Sequence, residues 1–221
     1  MAESGIERAF LFADIAGYTA LTEAHGDEEA ADVAASFCSA VAALIPAGEG
    51  EVVKAIGDAV MVRTDDPAVA IRLGLDVAHD LMVEHGSPAV RVGVHCGPAV
   101  ERGGDWFGSA VNIAARVAAL ARGGEVLVSE HVRRAAGELE GARYEARGEE
   151  TLRNVATPIA LFAVHGSHPR SGDRLVDPVC RMIVEPGREA GTLSHSGVDY
   201  CFCSLECAGR FAARPDAYIP A

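Results

Sequence analysis

Two acidic residues stand at the ends of apolar runs, Asp14 in "RAFLFADIAGYT" and Asp58 in "KAIGDAVM". If the strands that carry them are neighbours, the carboxylates lie side by side at one end of a sheet. Such a pair offers hard oxygen ligands with open positions. That suits Mg2+ or Mn2+, ions that take a few carboxylates and fill their remaining positions with substrate phosphates. Beyond Asp14 the chain turns at Gly17 and enters a helix through Tyr18 and Thr19. Backbone N–H groups at a helix start are suited to phosphate oxygens. Lys54, four residues before Asp58, is the only lysine among 19 basic residues, so the other 18 are arginines. A compact ammonium does what a planar guanidinium fork does not. Asn112 and Arg116 in "GSAVNIAARV" are four residues apart and share a face of any helix there. A polar Asn112 on an otherwise apolar helix calls for a reason.

These residues need a scaffold, and the pattern supplies one. "RAFLFADI" (8–15) fits a buried strand, and the Ala-rich stretch 19–45 has helical spacing, broken near Gly26 and closed by Pro46. "EVVKAI" and "AVMVR" flank a Gly57–Asp58 turn. A helix is expected over 66–86, with Asp66 as its cap, Pro67 at its first position and Gly86 as its stop. "AVRVGVHCG" reads as a strand, 108–124 as a helix, and "GEVLVS" and 159–164 as later strands. The order β-α-β-β-α-β predicts an α+β, ferredoxin-like sandwich with helices on one face of a mostly antiparallel sheet. The aperiodic "HGSHPRSGDR" marks a linker over 166–174, between a domain at 1–165 and a small module at 175–221.

With 49% hydrophobic residues in 221, a sizeable core is affordable to fold, and a net charge of −13 argues against a broad nucleic-acid surface. No run approaches the roughly 18 apolar residues of a membrane span. Early acids and a short apolar run do not make a signal peptide, so a cytoplasmic location is expected. Cys38 and Cys96 sit alone in apolar surroundings and are expected to be buried and inert. Cys180, Cys201, Cys203 and Cys207 crowd the last fifth of the chain. In a reducing compartment such a cluster indicates metal before disulfide.

"FADIAGYT", "KAIGDAVM" and "DWFGSAVNIAAR" resemble, in order, the three signature segments of the class III nucleotidyl cyclases, over about residues 6–165. The resemblance implies that Asp14 and Asp58 hold two Mg2+ or Mn2+ ions, through which ATP is converted to cyclic AMP and pyrophosphate. It implies that Asn112 positions the ribose, that Arg116 stabilises the α-phosphoryl group and that Arg153 meets the γ-phosphate. Lys54 and Asp105 match the family's adenine-reading pair: an ammonium donates to N1 and a carboxylate accepts from the N6 amine, whereas guanine presents the reverse pattern. Family members build each site between two subunits, so a homodimer with two composite sites is implied. Asp14 and Asp58 would come from one chain, and Lys54, Asp105, Asn112 and Arg116 from the other. "GGDWF" (103–107) is similar to the diguanylate cyclase signature, but Trp106 breaks that motif.

"VDPVCRMIV" with "SHSGVDYCFCSLECAGRFAARPDAYI" resembles a YHS-type metal-binding module over about 175–219. Cys203 and Cys207 share a face if "SLECAGRFA" is helical. With Cys180 they suit Zn2+ or Cu+, and His195 or Cys201 is the candidate fourth ligand. Arg181 replaces a usual glycine and Cys201 a usual aromatic. So short a module needs a metal, or docking onto the rest of the chain, for stability. Two function classes follow: an adenylate cyclase whose module couples activity to metal or redox state, or a nucleotide-binding scaffold that senses metal without catalysis. Guanylyl and diguanylate cyclases are the enzymatic alternatives.

Overall fold

Strand β1 (Ile6–Ile15) turns apolar side chains to both faces of a sheet, and each face is covered by different helices. The computed structural model describes residues 6–79, 81, 88–166 and 175–219. Ala9, Leu11, Ala13 and Ile15 share a core with Phe37 and Val41 of helix α2 (Asp27–Leu44) and with Ile71, Leu73 and Val77 of helix α3 (Pro67–His79). Phe10 and Phe12, one step out of phase, share another core with Ala110, Val111, Ala114 and Ala118 of helix α4 (Ser109–Leu120). The period of two along a strand makes this division automatic. It also corrects the expectation of helices on one face only: a strand apolar on both sides must be covered on both.

The sheet runs β2 (Gly50–Ile56), β3 (Ala59–Thr64), β1, β4 (Val90–Arg102), β6 (Val126–Ser129), β8 (Ile159–His165), β7 (Arg143–Glu150), and β5 (Asp105–Phe107) pairs with the far end of β4. Only the β4–β6 pairing is parallel among these described strands. Helix α4 lies directly on β4. A Cβ on Gly93 would fall 2.0 Å from the backbone nitrogen of Ala118, so only glycine allows that approach. The Ala-rich stretch breaks at Gly26 into α1 (Tyr18–His25) and α2, with Gly26 at φ 90°. Asp66 caps α3, its Oδ1 accepting from the Ala68 N–H at 2.8 Å, while the stop expected at Gly86 lies outside the described residues. The linker expected over 166–174 is described only at Gly166. Among the described residues before 167, the sequence pattern missed β5, β7 and helix α5 (Glu130–Ala136). Strand β7 is an exposed polar edge and α5 a seven-residue helix capped by Ser129.

Past residue 174 the chain forms two small ribbons, β9 (Leu175–Val176) with β10 (Ile183–Val184) and β11 (Gly191–His195) with β12 (Val198–Phe202), then helix α6 (Leu205–Ala213). Two-stranded ribbons do not stand alone in water. Here Val179, Met182, Phe202 and Phe211 bury themselves against Leu21 and Ala24 of α1 and Ala30 of α2. Ile183 packs on Ala89 and Ala16, and Met182 bridges to Pro88. The tail therefore shares its core with α1 and the start of α2.

Candidate active site and metal centre

Asp14 pairs across the sheet with Ala59 on one side and Arg91 on the other, which places it beside the β2–β3 hairpin. The two-residue turn of that hairpin is Gly57–Asp58, with Gly57 at φ 62°, and the Asp58 carbonyl accepts from the Ile15 N–H at 3.3 Å. The two aspartates converge as the strand order requires. Burial, and next the hydrogen bond and negative charge of Asp14, raise the Asp58 carboxyl to about 6. Arg91 contributes a partner that the sequence reading missed: its Nε donates to Asp14 Oδ2 at 2.7 Å and its Nη2 contacts the same oxygen. An arginine within the apolar run "AVRVGV" was the available signal. The donor set fits a hard divalent cation, since a cation between the two carboxylates offsets the repulsion that raises Asp58.

Just past Asp14, Gly17 takes a left-handed φ of 86° and opens α1, leaving the first-turn N–H groups of Tyr18 and Thr19 without intrahelical acceptors. A side chain on Gly17 would also meet the stem of Arg181, whose Cγ lies 2.7 Å from the position of a Gly17 Cβ.

Lys54 and Asp105 come together within one chain. The Lys54 ammonium donates to both Asp105 oxygens at 2.8 and 2.7 Å, and the Trp106 N–H donates to Oδ1 at 2.8 Å. The Lys54 hydrogen bond holds the Asp105 carboxyl below its usual range. Asn112 is exposed and Arg116 half-buried, one turn apart on α4. Among the described residues no hydrogen bond or ion pair joins either of them to Asp14 or Asp58. Val53, Trp106 and Ala115 belong to one core, so the sequence neighbours of Lys54, Asp105 and Arg116 are packed together. Arg153 is exposed in the connection between β7 and β8. Cys96 is buried and its thiol is pushed up to about 12, chiefly by burial, as an inert core sulfur should be. Half-buried Cys38 is raised as well.

In the tail the Sγ atoms of Cys180 and Cys203 lie 3.4 Å apart, and those of Cys203 and Cys207 3.9 Å apart. Neither His195 nor Cys201 joins them. His195 faces Asp216 at 3.5 Å and Cys201 faces Thr192 at 3.7 Å. The side chain that does lie beside them is His25, the last residue of α1, whose Nε2 is 3.8 Å from both Cys203 and Cys207. All four ligand atoms fall within 4.8 Å of one another. Nothing in "EAHGDEE" flags His25; it is found only once the tail is docked. Three thiols and an imidazole are a donor set for Zn2+ or Cu+.

The Adenylate and Guanylate cyclase catalytic domain model matches residues 3–166, and the YHS domain model matches residues 175–221. The chain belongs to the adenylate and guanylate cyclase family. A relative named as a pH-sensitive adenylate cyclase of Mycobacterium tuberculosis is 38% identical over 164 residues, which cover 73% of this chain and 41% of the relative. The chain thus spans about two fifths of that relative's length. An adenylate cyclase structure from Trypanosoma brucei, described in its monomeric state, shares the cyclase fold at TM-score 0.65 and 22% identity, covering 73% of this chain and 89% of that one. The guanylyl cyclase Cya2 shares it at TM-score 0.61 and 19% identity, covering 76% and 98%. No described helix of this chain is long and apolar enough to cross a membrane.

Proposed function

We propose that this chain is an ATP-using adenylate cyclase, with a catalytic domain over 1–165, a linker over 166–174 and a metal-binding module over 175–221. The observation that carries the choice of base is the bonded Lys54–Asp105 pair. It sets an ammonium donor beside a carboxylate acceptor, the complement of adenine N1 and N6. Relatives named adenylate cyclase support the same choice.

Asp14 and Asp58 hold the divalent cations. Bound Mg2+ or Mn2+ supplies the charge that lowers the pKa of the ribose 3′-OH and offsets the build-up on the phosphoryl oxygens. The turn at Gly17, Tyr18 and Thr19 offers N–H groups to the phosphates. Asn112 orients the ribose, Arg116 donates to the α-phosphoryl oxygens with a charge it never loses, and Arg153 meets the γ-phosphate. The 3′-OH attacks the α-phosphorus, and pyrophosphate leaves.

The site is shared between two copies, Asp14 and Asp58 from one and Lys54, Asp105, Asn112 and Arg116 from its partner. Two observations support this. The two sets make no polar contact within one chain among the described residues. Val52, Ile56, Val100 and Phe107 are also left exposed on β2, β4 and β5 around Lys54, the kind of apolar surface a second copy covers.

The test is incubation of the purified chain with ATP or GTP and Mn2+, reading the cyclic product by mass spectrometry, with Asp58→Ala as the control. Cyclic AMP, lost in the control, is the expected result. Cyclic GMP as the main product would overturn the base assignment. Tight binding of nucleotide with no cyclic product would leave the nucleotide-binding scaffold. We also propose that the tail couples cyclase output to metal or redox state; unchanged activity in Cys203→Ser and after chelation would end that idea.

A further inference from the structure

We propose that His25 of helix α1 is the fourth ligand of an ion of the Zn2+ class held with Cys180, Cys203 and Cys207, so that the ion fastens the tail to the helix that opens the phosphate turn. The site is neither a property of the tail alone nor of the cyclase region alone.

The distances fit an ion. Zn–S bonds of about 2.3 Å set tetrahedral sulfurs about 3.8 Å apart. The contacts here are 3.4 and 3.9 Å between sulfurs and 3.8 and 3.8 Å from the imidazole to Cys203 and Cys207. The imidazole is also oriented for the task. Its Nε2 faces the sulfurs while its Nδ1 lies 3.4 Å from the Glu29 carboxylate, one turn along on α2. A ligating histidine characteristically gives its other ring N–H to a carboxylate, which fixes its tautomer and aim.

The sulfurs are supported in the same manner. Asp177 is fully buried. One of its oxygens accepts from the N–H of Val179 at 2.8 Å and of Cys180 at 3.4 Å, and the other accepts from Cys203 N–H at 2.9 Å. One carboxylate thereby holds both cysteine-bearing loops. Ser204 caps α6 by accepting from the Cys207 N–H at 3.1 Å, setting Cys203 and Cys207 one turn apart.

The placement of His25 gives the ion a reach beyond the tail. Helix α1 spans Tyr18–His25, so at about 1.5 Å per residue its ends are roughly 12 Å apart. His25 closes one end. At the other, Arg181, the residue after the ligand Cys180, lays its stem on Gly17. The tail is therefore fixed to both ends of α1, by the ion at His25 and by the Arg181 stem at Gly17.

The test uses the reduced full-length chain, stripped of metal and loaded with Zn2+ or with Co2+ as a spectroscopic probe. X-ray absorption of the Zn2+ form is expected to show three sulfurs and one nitrogen with imidazole scattering, unchanged in His195→Ala and in Cys201→Ser. Co2+ is expected to give tetrahedral bands with thiolate charge transfer. His25→Gln is expected to weaken binding by more than about 100-fold, the upper range for merely supporting groups. Hydrogen exchange in residues 18–25 is expected to slow at least about tenfold on adding Zn2+. A sulfur-only shell, imidazole scattering that vanishes in His195→Ala, wild-type affinity in His25→Gln, or slowing confined to the tail would each overturn the proposal. So would failure of the wild-type chain to bind either ion. None of these readouts uses cyclase activity, so a failed cyclase assay leaves them standing.

Discussion

The two polar clusters of this protein differ in hardness and in completeness, though only the eight residues of α1 and a short turn separate them. The acid pair gathers oxygens from β1 and a distant hairpin and stays partly open to solvent, with its proposed partners on another copy. The sulfur cluster gathers all four donors within one chain, two of them fully buried in the structure, Cys180 and Cys207. The proposed nucleotide site needs open positions to admit and release its ligand; the proposed fastening of two pieces of chain needs none. That difference can be broken by experiment.

The largest expected effect is at the acid pair. Asp58→Ala should lower cyclic nucleotide formation by about 10^3-fold or more, because charge stabilisation at phosphoryl oxygens is lost. Its melting temperature should stay within a few degrees, and a large drop would mean that Asp58 serves the fold instead. Next is the shared core. Phe211→Ala should cost about 3–5 kcal/mol, read by urea unfolding. If a probe on α1 failed to move with the tail in that titration, the two regions would not share a core.

A third expectation concerns pH. His95 is buried on β4, bonded to Ser129 at 2.7 Å, and burial, then the charge of His131, hold it down to about 4. Because its folded value lies below the unfolded one of about 6.5, the unfolded chain binds the proton first and stability falls as pH drops from about 6.5 through 4. The loss should reach up to about 3 kcal/mol and be largely absent in His95→Gln, as followed by denaturant midpoints at pH 7 and 4.5. The smallest effect is on base choice. Asp105→Asn should lower kcat/KM for ATP about 10–100-fold, since a neutral amide no longer anchors the ammonium or accepts as strongly. An equal loss for ATP and GTP would remove Asp105 from base reading.

The places of the candidate residues on their strands, turn and helix could be read from the sequence because local patterns carry them. Asp14 ends an apolar run, and Asp58 sits in a two-residue turn whose flanking strands announce themselves. Asn112 and Arg116 repeat at helical spacing. The polar edge β7 and the short α5 left no period to find, and Phe10 and Phe12 showed that β1 needed cover on both faces only once α4 was seen against them. His25 was illegible for another reason. Its role depends on a docking between segments more than 150 residues apart, and the nearer candidates His195 and Cys201 looked equally suitable in a linear reading.

Leu21, Ala24 and Ala30 are almost wholly covered, and the tail is a large part of what covers them. A cyclase region freed of residues 175–221 would carry that apolar strip into water, where it invites self-association. In this chain the two matched regions are therefore not independent parts, because the face of α1 that the tail packs on is apolar and would need polar residues to stand in water.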